Sequence, residues 1–117
     1  MSLQVGRVDP AALIAEPGNQ LELSPLLAAS DTDGALSATW VRINGRHRRL
    51  RTPASTRLYA VLSGALIVEC DDDPPVRLSA GEVAAISPGA AYGLRGIATY
   101  LVINTPGFTD GDDQYLD

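Results

Sequence analysis

Between residues 58 and 96 the chain is cut into short apolar runs by glycine and proline at close intervals, and this punctuation constrains the fold more than any other feature. Gly64 follows YAVLS, Asp72-Asp73-Pro74-Pro75 separates two runs, Gly81 precedes EVAAI, and Ser87-Pro88-Gly89 closes that run. Apolar runs bounded in this way read as strands joined by tight corners. The same rhythm begins at residue 36 and predicts strands at 37–43, 48–52, 58–63, 65–70, 76–78, 82–86, 92–95 and 98–104, with a turn at Asn44-Gly45. Many short strands with regular turns are what an antiparallel jelly roll requires. Residues 1–35 carry prolines at 10, 17 and 25 that disfavour a long helix, so a strand or two packed along the barrel is expected there. The acidic stretch 109–117 reads as a solvated tail, or as an arm on a partner subunit.

Two spacings within this region match sequence motifs of a known superfamily. Counting back from Gly64 places Arg57, Thr52 and Leu50 where a glutamate and two histidines stand in the first motif. The second motif falls on Gly81, Ser87, Gly89, Tyr92 and Gly96, with serine for its proline, tyrosine for its histidine and glycine for its asparagine. The ending VINTPGF, residues 102–108, has the look of a last barrel strand and its exit. On these residues the stretch 36–108 resembles the cupin superfamily, in its single-domain, RmlC-like form. The resemblance implies an all-β, antiparallel double-stranded β-helix, the jelly-roll barrel. One scaffold of this kind hosts many unrelated chemistries, so it implies no single reaction.

The resemblance also implies a metal site, and the side chains at its places argue against one. Leu50 has no donor atom, Thr52 offers a neutral hydroxyl, and Arg57 is a permanent cation that would repel a divalent ion. Tyr92 alone does not make a site. No metal and no other cofactor is expected. Strand alternation instead predicts an inward-facing set: Arg57 brings Tyr59 and Val61 with it, Tyr92 brings Leu94, and Trp40 or Arg42 joins from a facing strand. The candidate ligand-binding residues are therefore Arg57, Tyr92, Tyr59, Thr52, Leu50 and Trp40. A buried guanidinium needs an anion opposite it, either a ligand or an internal carboxylate such as Glu22 or Glu69. His47, the sole histidine, follows the expected turn and reads as a surface or loop residue.

Composition narrows the function classes. At 117 residues the chain is one domain with room for a core. A formal net charge of −5 argues against a general nucleic-acid or anionic-membrane binder, although six of the nine arginines lie within residues 42–57. No apolar run approaches the roughly 18 residues of a membrane span, and the N-terminus has no signal-peptide pattern, so a soluble, cytoplasmic protein is expected. The single Cys70 excludes an internal disulfide. The leading expectation is a metal-free barrel that binds a small, anionic or carbohydrate-like molecule, as a homodimer whose contact covers exposed strand edges. The alternative is a metal-independent epimerase, isomerase or cyclase, which requires His47 to reach the cleft near Tyr92.

Overall fold

Eight antiparallel strands carry the architecture in the computed structural model, which describes residues 2–116. They are β1 (Ile14–Ala15), β2 (Leu21–Leu27), β3 (Ser37–Arg51), β4 (Thr56–Cys70), β5 (Val76–Ser79), β6 (Val83–Ile86), β7 (Tyr92–Thr105) and β8 (Gln114–Tyr115). The strands pair in the order β1-β2-β3-β7-β4-β5, with β6 on β4 and β8 on β3. A 3-10 turn at Ala29–Thr32 is the one helical element among the described residues, and no helix is long and apolar enough to cross a membrane. The expected all-β jelly roll is the fold observed.

Six of the expected short strands are in fact halves of three long ones. β3, β4 and β7 each run unbroken through a glycine expected to end a strand, Gly45, Gly64 and Gly96 respectively. All three glycines have positive φ, of 132°, 76° and 139°. A residue without Cβ can turn the backbone there while the ladder continues on both sides. Gly45 pairs with Gly96, and Leu66 pairs with Gly96 on the other side, so the bends align across the sheet. β4 changes its edge partner at this line, from β6 at residues 57–60 to β5 at residues 65–68. The sheet thereby folds over on itself and encloses a core built on Ile43, Leu50, Tyr59, Leu66, Tyr92, Leu94 and Tyr100.

Segments near both ends of the chain join this sheet. β2 pairs with β3 from Leu21↔Ile43 onward and accommodates Pro25 with a register shift between Pro25 and Leu27. The sequence predicts a solvated tail, and the structure corrects this. Gln114 and Tyr115 pair with Arg51 and Leu50, and the Leu116 amide donates to the Arg49 carbonyl at 3.0 Å. A turn closed by Thr109 and Asp112 leads the chain back onto the barrel.

Candidate functional site

Arg57 lies at the centre of the barrel, as alternation along β4 requires, and only 5% of its surface is exposed. Its Nε donates to Asn104 Oδ1 at 2.6 Å and its Nη1 to the Tyr92 hydroxyl at 3.2 Å. The anion opposite is Asp113: Nη2 donates to Oδ1 at 2.7 Å and Nη1 to Oδ2 at 3.4 Å. Thr52 Oγ1 donates to the same Oδ1 at 2.8 Å. Neither of the expected carboxylates takes this place, because Glu22 pairs with Arg42 and Glu69 with Arg95 on the outside of the sheet. Burial works against the guanidinium charge, but the Tyr59 and Tyr92 oxygens and the Asp113 carboxylate outweigh it, so Arg57 is held firmly cationic.

Behind Arg57 the tyrosines form a packed cluster. Tyr59 and Tyr92 share a hydroxyl-to-hydroxyl bond of 2.6 Å, and the Tyr59 ring meets Tyr92 and Tyr100 edge-on at 5.8 and 5.6 Å. Edge-to-face contacts at these distances suit the ring quadrupoles. Burial raises the Tyr59, Tyr92 and Tyr100 phenols above their ordinary range, against the opposing pull of Arg57. Tyr115 is pushed up to about 12, first by burial and then by its bond to Glu16. These four are all the tyrosines of the chain. A group whose folded pKa lies above its unfolded value stabilises fully below the unfolded value and loses that contribution as pH rises through the folded one. We therefore expect stability to fall steadily above pH ~10. Spectrophotometric titration should show tyrosinate appearing together with unfolding. A phenol ionising near pH ~10 in the intact fold would contradict this.

Beside Arg57 opens a cavity of about 400 Å³. Its polar wall includes Glu16, His47, Arg57, Asn104, Asp113 and Tyr115, and its apolar wall includes Val41, Tyr100 and Phe108. His47 is 7% exposed, which corrects the expectation of a surface or loop histidine. It stands two positions beyond Gly45, on the inward face that Val41 and Ile43 already share. Its Nδ1 meets the Arg48 carbonyl at 2.8 Å, a contact that places the ring hydrogen on Nδ1. Nε2 then faces Glu16 Oε1 at 3.7 Å, and the ring stacks on Tyr115 at 6.1 Å. Glu16 is itself fixed by Asn19 at 2.9 Å and by the Tyr115 hydroxyl at 2.7 Å.

Of the six candidate residues, Arg57 lines the cavity and Thr52 is joined to it through Asp113. Tyr59 and Tyr92 stand behind Arg57, and Leu50 is fully buried in the core. Trp40 is a correction. It alternates with the inward Val41, lies on the other face of β3, and has the Arg42 guanidinium 5.9 Å above its ring. The donor set at the four metal-motif places does not suit a divalent ion, since a guanidinium with its hydrogen-bond partners fills the centre. No cluster of three or more histidine, cysteine or acidic side chains that could hold a metal occurs among the described residues.

Solved structures provide the comparison. Pac13, described as a unique nucleoside dehydratase, superposes with a TM-score of 0.78 at 14% identity, over 94% of this chain and 89% of that one. A Streptomyces PAC13 variant with a histidine-to-glutamine substitution, solved with uridine, gives 0.79 at 13% identity, over 95% and 90%. The polyketide cyclase RemF of Streptomyces resistomycificus gives 0.74 at 18% identity, over 95% and 84%. No family model matches the chain, and no curated protein does.

Proposed function

We propose that this chain, a cupin-fold barrel, binds a small polar molecule in the cavity beside Arg57 and acts on it by metal-independent acid–base chemistry. The observation that carries this is His47, buried at the cavity wall with Nδ1 committed to the Arg48 carbonyl and Nε2 turned toward Glu16. An imidazole held in one tautomer by a carbonyl presents a lone pair at the other nitrogen, and the Glu16 carboxylate stabilises the imidazolium formed when Nε2 takes a proton. Removal of a proton from a carbon beside a carbonyl is the step such a pair performs. The proton then returns to carbon in an isomerisation, or a hydroxyl departs as water in a dehydration. Tyr100 also lines the cavity, and burial keeps its phenol protonated and able to donate to the departing or enolising oxygen.

The similar structures support the same reading. Three PAC13 variants, one histidine-to-glutamine and two tyrosine-to-phenylalanine, are complexes with uridine. Each successive spacing between those positions along that chain is one residue longer than from His47 to Tyr59 and from Tyr59 to Tyr92 here. A nucleoside-like or sugar-like substrate is therefore the first to try. One feature favours a second reading, binding without turnover: Arg57, Asp113, Tyr92 and Tyr59 take their hydrogen-bond partners from one another within the chain. Cytoplasmic location and pairing of two copies across exposed Leu62, Val83 and Ile97 complete the proposal, the pairing being open to sedimentation analysis.

The test is a thermal-shift and turnover screen of nucleosides and sugars together with their oxidised, carbonyl-bearing and carboxylate-bearing derivatives. A hit should bind His47→Gln about as well as the parent, while turnover falls by roughly 10²–10⁴-fold. Turnover should survive dialysis against a chelator. Parent-level turnover by His47→Gln would remove histidine from the chemistry, and binding of hits without any turnover would establish the second reading.

A further inference from the structure

Asp113 reaches Arg57 from a part of the chain unlike the rest of the site. Arg57 and Thr52 stand on or beside the long strands, and Arg57 also has Asn104, Tyr92 and, at 5.9 Å, the Phe108 ring as neighbours. Asp113 instead belongs to the tail, which is attached to β3 through the short β8 ladder and the Leu116 amide. Arg57 and Thr52 together make a receptor for one carboxylate, with donors at 2.7 and 2.8 Å to the same oxygen. Both Arg57 and Asp113 also face the cavity.

We propose that Arg57 and Thr52 form a carboxylate-binding subsite which the chain fills with its own Asp113, and that a ligand bearing a carboxylate exchanges with Asp113 and frees the tail. The exchange is balanced in charge. Arg57 trades one carboxylate for another and is never left unpaired, while Asp113 passes to water, where its hydration is restored. A neutral ligand gains no such exchange and leaves the ion pair closed. A second carboxylate entering the cavity beside Asp113 also sets two like charges close together, which favours release of the tethered one.

Release would extend to the acid–base pair. The tail carries Tyr115, which bonds Glu16 and stacks on His47. Lifting Asp113 would therefore uncover His47 as the charged end of the substrate docks. This deepens the proposed function by naming the substrate's charged group, and rests on it only for the chemistry after binding.

Acetate, the smallest probe of the subsite, tests the proposal without any turnover. Sodium acetate should raise the melting temperature of Asp113→Ala in a saturable way, and sodium chloride or acetamide at equal concentration should not. The parent should need roughly a hundred-fold more acetate for the same occupancy, because the tethered carboxylate competes at high effective concentration. In the parent, acetate and not chloride should speed hydrogen exchange of the Leu116 amide, a readout that needs no variant. Equal effects of acetate and chloride, or Leu116 exchange indifferent to acetate, would overturn the proposal. Because none of these measurements involves His47 chemistry, their failure is distinct from failure of the proposed function.

Discussion

Replacing Asp113 with alanine is expected to destabilise the protein by about 3 kcal/mol, and by more than replacing its partner does. Breaking a buried pair costs most when the surviving charge cannot reach water. Arg57 stands near the start of β4 but inside the barrel, with 6% of its side chain exposed, so without Asp113 it is a cation without a counterion there. Arg57→Met leaves the other partner, and Asp113 can turn outward on its tail. The methionine also refills much of the vacated space. Urea denaturation of the two variants should give a lower midpoint for Asp113→Ala, and the double variant should regain part of the loss. The opposite order, with Arg57→Met the less stable, would mean that the tail is held as rigidly as the strands.

Gly64→Ala is expected to cost about 3 kcal/mol or more and to compromise folding outright. Gly64 has φ +76°, and a Cβ there would lie 2.2 Å from the Ile97 carbonyl oxygen of the paired strand. Neither atom can yield without parting β4 from β7. Gly81 gives the control: its φ is +87°, yet a Cβ there meets nothing within 4 Å. Gly81→Ala should show only the cost of the left-handed backbone, roughly 1–2 kcal/mol. Thermal denaturation of both variants separates the contributions, and similar losses would show that the carbonyl contact is relieved at little cost.

Strand periodicity made the interior of the barrel legible, since Arg57, Tyr59, Val61, Tyr92 and Leu94 are all buried as alternation requires. It failed at His47 for one reason. Asn44-Gly45 has the sequence of a hairpin turn, and a turn there breaks the alternation that would have carried the inward face from Val41 and Ile43 to His47. In the structure Gly45 bends a continuous strand, so the count runs on. An uninterrupted count along residues 41, 43, 45 and 47 would have found it. Asp113 left no comparable signal, because it meets Arg57 across a separation of 56 residues and sits among other acidic residues that look equally solvated. Glu16 was hidden for the same reason, in a segment whose irregularity gave no face to follow.

The position of β7 between β3 and β4 also bears on how fast this protein forms. Both long strands find their main partner in a segment that comes after them in sequence, and the Asn104–Ser37 bond alone spans 67 residues. Loops of that size are closed, at an entropic cost, before the contacts they permit begin to compensate, and such topologies fold in milliseconds to seconds, not microseconds. His47 on β3, Arg57 on β4 and Tyr100 on β7 converge only when this last pairing zips. The cavity is thus a late product of the folding reaction, and a partly zipped chain would present its strand edges to neighbours before it could present a site to a ligand.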